Sequence, residues 1–174
     1  CTIALTAAAV MLLIGHQDIE EVITGVEWTT ILFFTGLFVV VGGLQETGII
    51  QVLANGLMDL TKGHMTMTIL LILWVSAIVS SFLDNIPFVA TLIPLILTMQ
   101  SSGVDVTPLW WAVSLGACLG GNGTLIGASA NVVLSGISTR HGFPITFASY
   151  LKVGFPMMLV SVAISTVFLL IRFG

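Results

Sequence analysis

Two consecutive stretches of this chain are each too long and too apolar to be a single membrane crossing, and each carries a polar interruption at its centre. From Met65 to Val104 the one charged residue is Asp84. As a continuous helix that run would extend about 60 Å, roughly twice the thickness of a bilayer's hydrocarbon core. It must break. The break is written as SSFLDNIPF, where Asp84 and Asn85 favour turns and helix caps and Pro87 fits the first turn of a new helix. Two arms follow, about 65–82 and 87–101. The residues allow either two spans joined at a membrane surface or a hairpin that enters and leaves on one side. The second run, Val106 to Thr139, has no charge and is interrupted by GACLGGNGTLIGASAN. Each glycine there weakens a continuous helix by about 1 kcal/mol relative to alanine. A discontinuous helix is expected, and backbone that leaves a helix at membrane depth survives only where protein, water or a ligand satisfies it.

Composition agrees with a life in lipid. Charged residues make up 7% of the chain and hydrophobic residues 57%, with a mean hydropathy of +1.16, whereas a soluble domain carries about a quarter charged residues. The fold class is therefore all-α integral membrane. The 174 residues leave room for five or six crossing or re-entrant elements of about 20 residues each. The net charge of −4 is scattered, with no basic patch that would take nucleic acid. Cys1 and Cys118 lack His or Cys neighbours at ligand spacing, so no zinc site or disulfide framework is expected.

Along the chain, Thr2 to Gly15 reads as a truncated helix, with no positive stretch ahead of it to make a signal peptide. HQDIEEVITGVE reads as a polar loop, and Trp28 to Gly43 as a spanning helix. Gly48 to Leu60 is amphipathic, suits the interface, and is closed by Lys62, Gly63 and His64. Val153 to Ile171 forms the last span, with Pro156 expected in its first turn or two. The whole, 1–174, reads as one membrane domain, and its start at Cys1 reads as a piece cut from a longer chain.

The chemistry gathers at the two breaks. An ionised carboxylate inside a bilayer costs about 2.5–3.5 kcal/mol on insertion scales, so Asp84 needs a partner. The four basic residues, Lys62, Arg140, Lys152 and Arg172, all lie at the edges of apolar segments. A bound cation, a proton, a hydrogen-bond cage or a residue from another part of the protein remain; alternatively Asp84 simply caps the helix that follows. Ser80, Ser81, Asp84, Asn85 and Thr91 crowd oxygen atoms around the first break, and hard cations favour such ligands together with unwound carbonyls. The second break adds Asn122, Thr124, Ser129 and Asn131. Close packing by small residues would explain its glycines but not its asparagines. A phosphate loop is excluded by the absence of GKS or GKT. An intramembrane protease is excluded because His16, His64 and His141 lie in polar stretches and Asp84 has no buried acidic partner.

The runs VEWTTILFFTGLFVVVGGLQETG, SSFLDNIPFVATLIPLI and GACLGGNGTLIGASANVV resemble the carboxy-terminal half of permeases of the ion transporter superfamily. The likeness is to the branch of arsenite-efflux permeases, NhaD-type sodium/proton antiporters and the melanosomal P protein, with a citrate transporter-like domain. It covers nearly the whole chain. The resemblance implies two inverted repeats, each with a re-entrant hairpin (here 65–101) and a broken helix (106–139) whose tips meet at the transport site, and a scaffold helix at 28–43. By that likeness Asp84 and Asn85 stand at the hairpin tip, while Gly121, Asn122, Gly123, Thr124, Ser129 and Asn131 line the break. A sodium ion would be held by Asp84, Asn85, Asn122 and Thr124. It further implies a homodimer, an elevator-like movement, and the amino-terminal half of the same protein as partner.

Related dicarboxylate carriers use a Ser-Asn-Thr motif at the hairpin tip, where this chain has Leu83-Asp84-Asn85-Ile86-Pro87. A fixed carboxylate repels an organic anion and attracts a cation or proton. The expected function is thus a secondary transporter of a small ion or solute, with sodium/proton antiport first and arsenite or citrate/dicarboxylate permeation next. A non-transporting helical module is a further alternative. No resident cofactor is expected beyond the transported or coupling sodium ion or proton. The expected location is the inner membrane of a bacterial or archaeal cell, crossed several times. Arg140 and Lys152 bracket a turn that should be cytoplasmic.

Overall fold

A computed structural model describes residues 2–15, 19–26, 28–61 and 63–174. The readings that rest on Cys1, His16 and Lys62 lie outside the described residues. The described residues are helical and contain no strand: α1 (Thr2–Gly15), α2 (Ile19–Thr24), α3 (Trp28–Glu46), α4 (Ile49–Leu60), α5 (Met65–Ser80), α6 (Asn85–Ser101), α7 (Thr107–Gly120), α8 (Ser129–Arg140) and α9 (Phe147–Phe173). They fall into two units, Cys1–Gly36 and Leu37–Gly174.

In the first unit, α1 presents Ile3, Leu5, Met11 and Ile14 to its surroundings. The stretch expected to be a loop contains α2, IEEVIT; its two glutamates are good helix formers, and two residues of turn suffice to end it. The Trp28 indole N–H donates to the Ile23 carbonyl at 3.1 Å, tying the end of α2 to the start of α3.

Helix α3 continues past Gly43 to Glu46, because the glycines at 42 and 43 keep helical backbone. The chain turns at Gly48, whose φ of 77° is a left-handed conformation suited to glycine. α3 and α4 are bent by 68° across that point. α4 buries Ile50 and Ala54, while Gln51 donates to Asn55 on its exposed side, the two-sidedness expected of an amphipathic helix.

The second unit is organised by α5 packed against α7. Gly116 and Gly120 stand one turn apart on α7, and a Cβ at Gly116 would lie 2.5 Å from the Leu73 carbonyl oxygen. One at Gly120 would lie 2.4 Å from that of Ala77. The two backbones therefore touch, the close approach that small residues permit between helices in lipid. Ile69, Leu73 and Ala77 of α5 meet Leu109, Ala112 and Val113 of α7, and Met158, Val162 and Leu169 of α9 complete the core. Trp74 reaches across to α9, its indole N–H donating to Thr166 Oγ1 at 3.1 Å.

α9 begins at Phe147, before the expected Val153, because Thr146 and Ser149 form a capping box. Pro156 thus lies inside the helix rather than in its first turns. α9 buries Met158, Val162, Ser165 and Leu169, yet its opposite face carries exposed Val153, Met157, Val160, Ile164 and Phe168. A helix apolar all round with one face open is suited to lipid. Among the described residues α9 is the helix long and apolar enough to cross a membrane by itself, and α3 with α4 qualifies as a bent pair.

Candidate functional site

Both predicted breaks are present, and the fold brings them into contact. The first joins α5 to α6 through Ser81–Asp84. Ser81 ends α5, its N–H bonded to the carbonyls of Ala77 and Ile78. Asp84 opens α6 as its N-cap: the carboxylate accepts from the Ile86 N–H at 3.1 Å, satisfying one of the donors a helix start leaves free. Its side chain is exposed, and no basic side chain pairs with it among the described residues. The capping role read from the sequence is therefore real.

The second break separates α7 from α8 by the residues Gly121–Ala128. It is knitted by short backbone bonds, Gly123 N–H to the Gly120 carbonyl at 2.8 Å and Gly127 N–H to the Thr124 carbonyl at 3.2 Å. α8 starts without a side-chain cap. Instead the Asn131 amide reaches back, donating to the carbonyls of Gly121 at 2.9 Å and Thr124 at 3.1 Å. One side chain thereby closes the loop on itself, giving the Gly121 carbonyl its donor and the Thr124 carbonyl a second one beside the Gly127 N–H.

Two further bonds tie the first break to the α7 end and the second break, and a third links the two sides of the first. The buried Thr124 hydroxyl donates to the Ser81 carbonyl. The Ser80 hydroxyl lies against both the Asn85 Oδ1 and, at 2.8 Å, the Ala117 carbonyl. Asn85 then lies over Gly121, where a Cβ would meet its side-chain oxygen at 3.1 Å. At Gly127 a Cβ would stand 2.7 Å from the Ser81 carbonyl oxygen, 2.8 Å from that of Gly121 and 3.2 Å from that of Ser80. Three carbonyl oxygens thus converge on one glycine, and a side chain there would push them apart.

Of the residues expected at the site, Asn85, Gly121, Thr124 and Asn131 form the junction, and Gly123 packs beside it against Ser81 and Met158. Asp84 stands exposed at the edge, and Asn122 and Ser129 are exposed, with no side-chain hydrogen bond among the described residues. Of the four expected sodium ligands, Asn85 and Thr124 are therefore in the junction, while Asp84 and Asn122 flank it. Ser80, Ser81 and Gly127 belong to it as fully as any expected residue. Ser80 and Ser81 stood out in the sequence for their oxygens, but only the approach of α7 to α5 shows which hydroxyl serves which break. Thr91 donates to the Phe88 carbonyl within α6.

Electrostatically, the junction collects four helix ends. The carboxyl ends of α5 and α7 present carbonyls with partial negative charge, and the amino ends of α6 and α8 present N–H groups with partial positive charge. Asp84 already answers the amino end of α6. No cluster of three or more His, Cys, Asp or Glu side chains occurs among the described residues, so any cation here would be held by neutral oxygens and at most one carboxylate.

Residues 2–116 match the citrate transporter family. The chain is 43% identical over 175 residues to an uncharacterized transporter of Mycobacterium tuberculosis, covering 98% of this chain and 41% of the relative. It is 42% identical over 175 residues to the human P protein, covering 96% of this chain and 21% of the relative. It is 38% identical over 174 residues to a 46 kDa membrane protein of Mycobacterium leprae, covering 98% and 41%. The chain thus spans about two fifths of the length of these mycobacterial relatives. No solved structure matches it. The family is one of transporters and not of enzymes, and by the match over most of its length this chain is an integral membrane protein of the citrate transporter family within the ion transporter superfamily.

Proposed function

We propose that the junction of the two breaks is the ion- or solute-binding centre of a secondary transporter, and that a cation or proton is coupled through it. The observation that carries this reading is the convergence itself. Two polar interruptions, each in an apolar segment that could have been continuous, meet through the Thr124–Ser81 and Ser80–Ala117 bonds and through the close approach of Asn85 to Gly121 and of the Ser80 and Ser81 carbonyls to Gly127. The carbonyls of Ser80, Ser81 and Gly121 crowding Gly127 are the oxygen ligands that unwound helices offer a sodium ion. Asp84, exposed beside them, supplies the one carboxylate that could exchange a proton for the cation. Sodium/proton antiport is the first reading. A multi-pass protein of a bacterial or archaeal inner membrane, acting as a homodimer with its amino-terminal half completing the pathway, fits that reading.

A specific observation favours a second reading. The Asn85 amide accepts from Ser80 through its oxygen, and its NH₂ group donates to nothing among the described residues. With the uncapped amino end of α8, that free donor suits an anionic or neutral oxygen-bearing solute such as a carboxylate or arsenite. The family's citrate transporter description agrees with it.

The test is transport by the full-length protein in inverted vesicles. If antiport is correct, Asp84→Asn, which keeps the cap, lowers sodium-driven proton flux by about tenfold or more while the protein still assembles. Undiminished flux in Asp84→Asn removes Asp84 from the mechanism. Solute uptake lost in Asn85→Leu but retained in Asp84→Asn selects the second reading.

A further inference from the structure

We infer that Ser80 is a positioning residue for the cation: its one hydroxyl proton decides whether Asn85 turns an amide oxygen or an NH₂ group toward the junction. The inference rests on the reading that the junction binds a cation. Ser80 is fully buried at the end of α5. Its hydroxyl has two acceptors within reach, the Asn85 Oδ1 and, at 2.8 Å, the Ala117 carbonyl. A hydroxyl carries one proton and can also accept through its oxygen. Ser80 therefore serves one of the two acceptors at a time.

Two arrangements satisfy these groups. In one, Ser80 donates to the Asn85 oxygen, the NH₂ group faces away from Ser80, and the Ala117 carbonyl still receives the Gly121 N–H at 3.2 Å. In the other, Ser80 donates to Ala117 and its oxygen accepts from the Asn85 NH₂ group, so the amide has turned over and its own oxygen faces outward. Neither leaves the buried hydroxyl without a partner, the outcome that would cost most. Space permits the half-turn: a Cβ at Gly121 would stand 3.1 Å from the Asn85 Oδ1 and 3.2 Å from its Nδ2. The two ends of the amide thus lie almost symmetrically over a residue that has no side chain. The same point lies 3.2 Å from the Gly127 carbonyl oxygen. An NH₂ group beside that carbonyl is the favourable arrangement when the space is empty, and a second oxygen there is favourable when a cation is bound. Cation binding thus draws the Ser80 proton to Ala117, and release returns it to Asn85.

The test is equilibrium binding of radioactive sodium to the full-length protein in detergent, in a double-mutant cycle between Ser80 and Asn85. With Asn85 in place, Ser80→Ala should weaken sodium binding about tenfold, because nothing then holds the amide oxygen outward. In the Asn85→Asp background the loss should shrink to less than about twofold, since both ends of a carboxylate are oxygens and orientation no longer matters. The charge that Asn85→Asp adds is common to both members of its pair and cancels in the ratio. Ser80→Cys, which keeps the volume with a weaker donor, should give a smaller loss with the same dependence on the partner residue, and it carries the cycle if Ser80→Ala does not fold. A serine that only packs α5 against α7 would weaken binding equally in the two backgrounds. Equal losses, or no loss with Asn85 in place, overturn the role of Ser80 and leave the cation site standing. Absence of saturable sodium binding by the unaltered protein overturns the cation reading and this inference with it.

Discussion

The two breaks solve one problem in opposite ways. The first, Ser81–Asp84, is short and largely looks after itself: the α5 carbonyls bond the following N–H groups, and Asp84 caps α6. The second, Gly121–Ala128, is twice as long, starts its helix without a cap, and depends on side chains that reach into it, Asn131 from α8 and Thr124 onto the α5 end. A short interruption can be written locally in a few residues. A long one at membrane depth needs its backbone groups answered from elsewhere, so its sequence is spent on glycine and amides.

The contrast is broken most severely at the glycines. Gly127→Ala should cost about 3 kcal/mol, because the new methyl group would sit on the Ser81 and Gly121 carbonyl oxygens; thermal unfolding in detergent measures it. Gly136→Ala, in α8 with nothing within 4 Å of the added carbon, should instead stabilise by about 0.5–1 kcal/mol. If the two changes have equal effects, the second break is not held from outside. Next in size, Thr124→Val should cost about 2 kcal/mol, since the Ser81 carbonyl loses its buried donor. Asp84→Ala should cost about 1 kcal/mol, with Asp84→Asn near wild type, as befits a cap; a large loss on Asp84→Asn would show that the first break borrows support too.

The smallest effect lies outside both breaks. Asp105 accepts from the backbone N–H of Thr107 at 3.0 Å, and hydrogen bonds from Thr107 hold its carboxyl below the ordinary carboxylate range. A depressed folded value contributes stability above the unfolded value, and that contribution is lost as pH falls through the folded one. Asp105→Asn should therefore slightly lower stability at neutral pH, flatten the acid limb of a stability-versus-pH curve, and match the unaltered protein once the pH is below the folded value. A shift as large as that of Thr124→Val would contradict the fully exposed position of Asp105.

The positions of both breaks were legible because charge, proline and glycine punctuate apolar runs that length alone forbids from being continuous. Asp84 as a cap and α4 as an amphipathic helix were legible for the same local reasons. Boundaries that depend on a cap not recognised as one were missed: Thr146 with Ser149 starts α9 early, and Lys152, read as an edge, lies within the helix. α2 was hidden because its glutamates made a helix look like a loop. The junction itself is invisible to periodicity. Ser80 and Ala117 are 37 residues apart, and what brings them together is the absence of side chains at Gly116 and Gly120 rather than any residue that announces contact.

Those two glycines have one more consequence. Their α-carbons nest against the Leu73 and Ala77 carbonyls, so a slip of α7 along α5 by a single residue would drive Leu115 or Ala117 side chains into that backbone. The pair cannot ratchet. Any rearrangement within this unit therefore carries α5 and α7 as one piece.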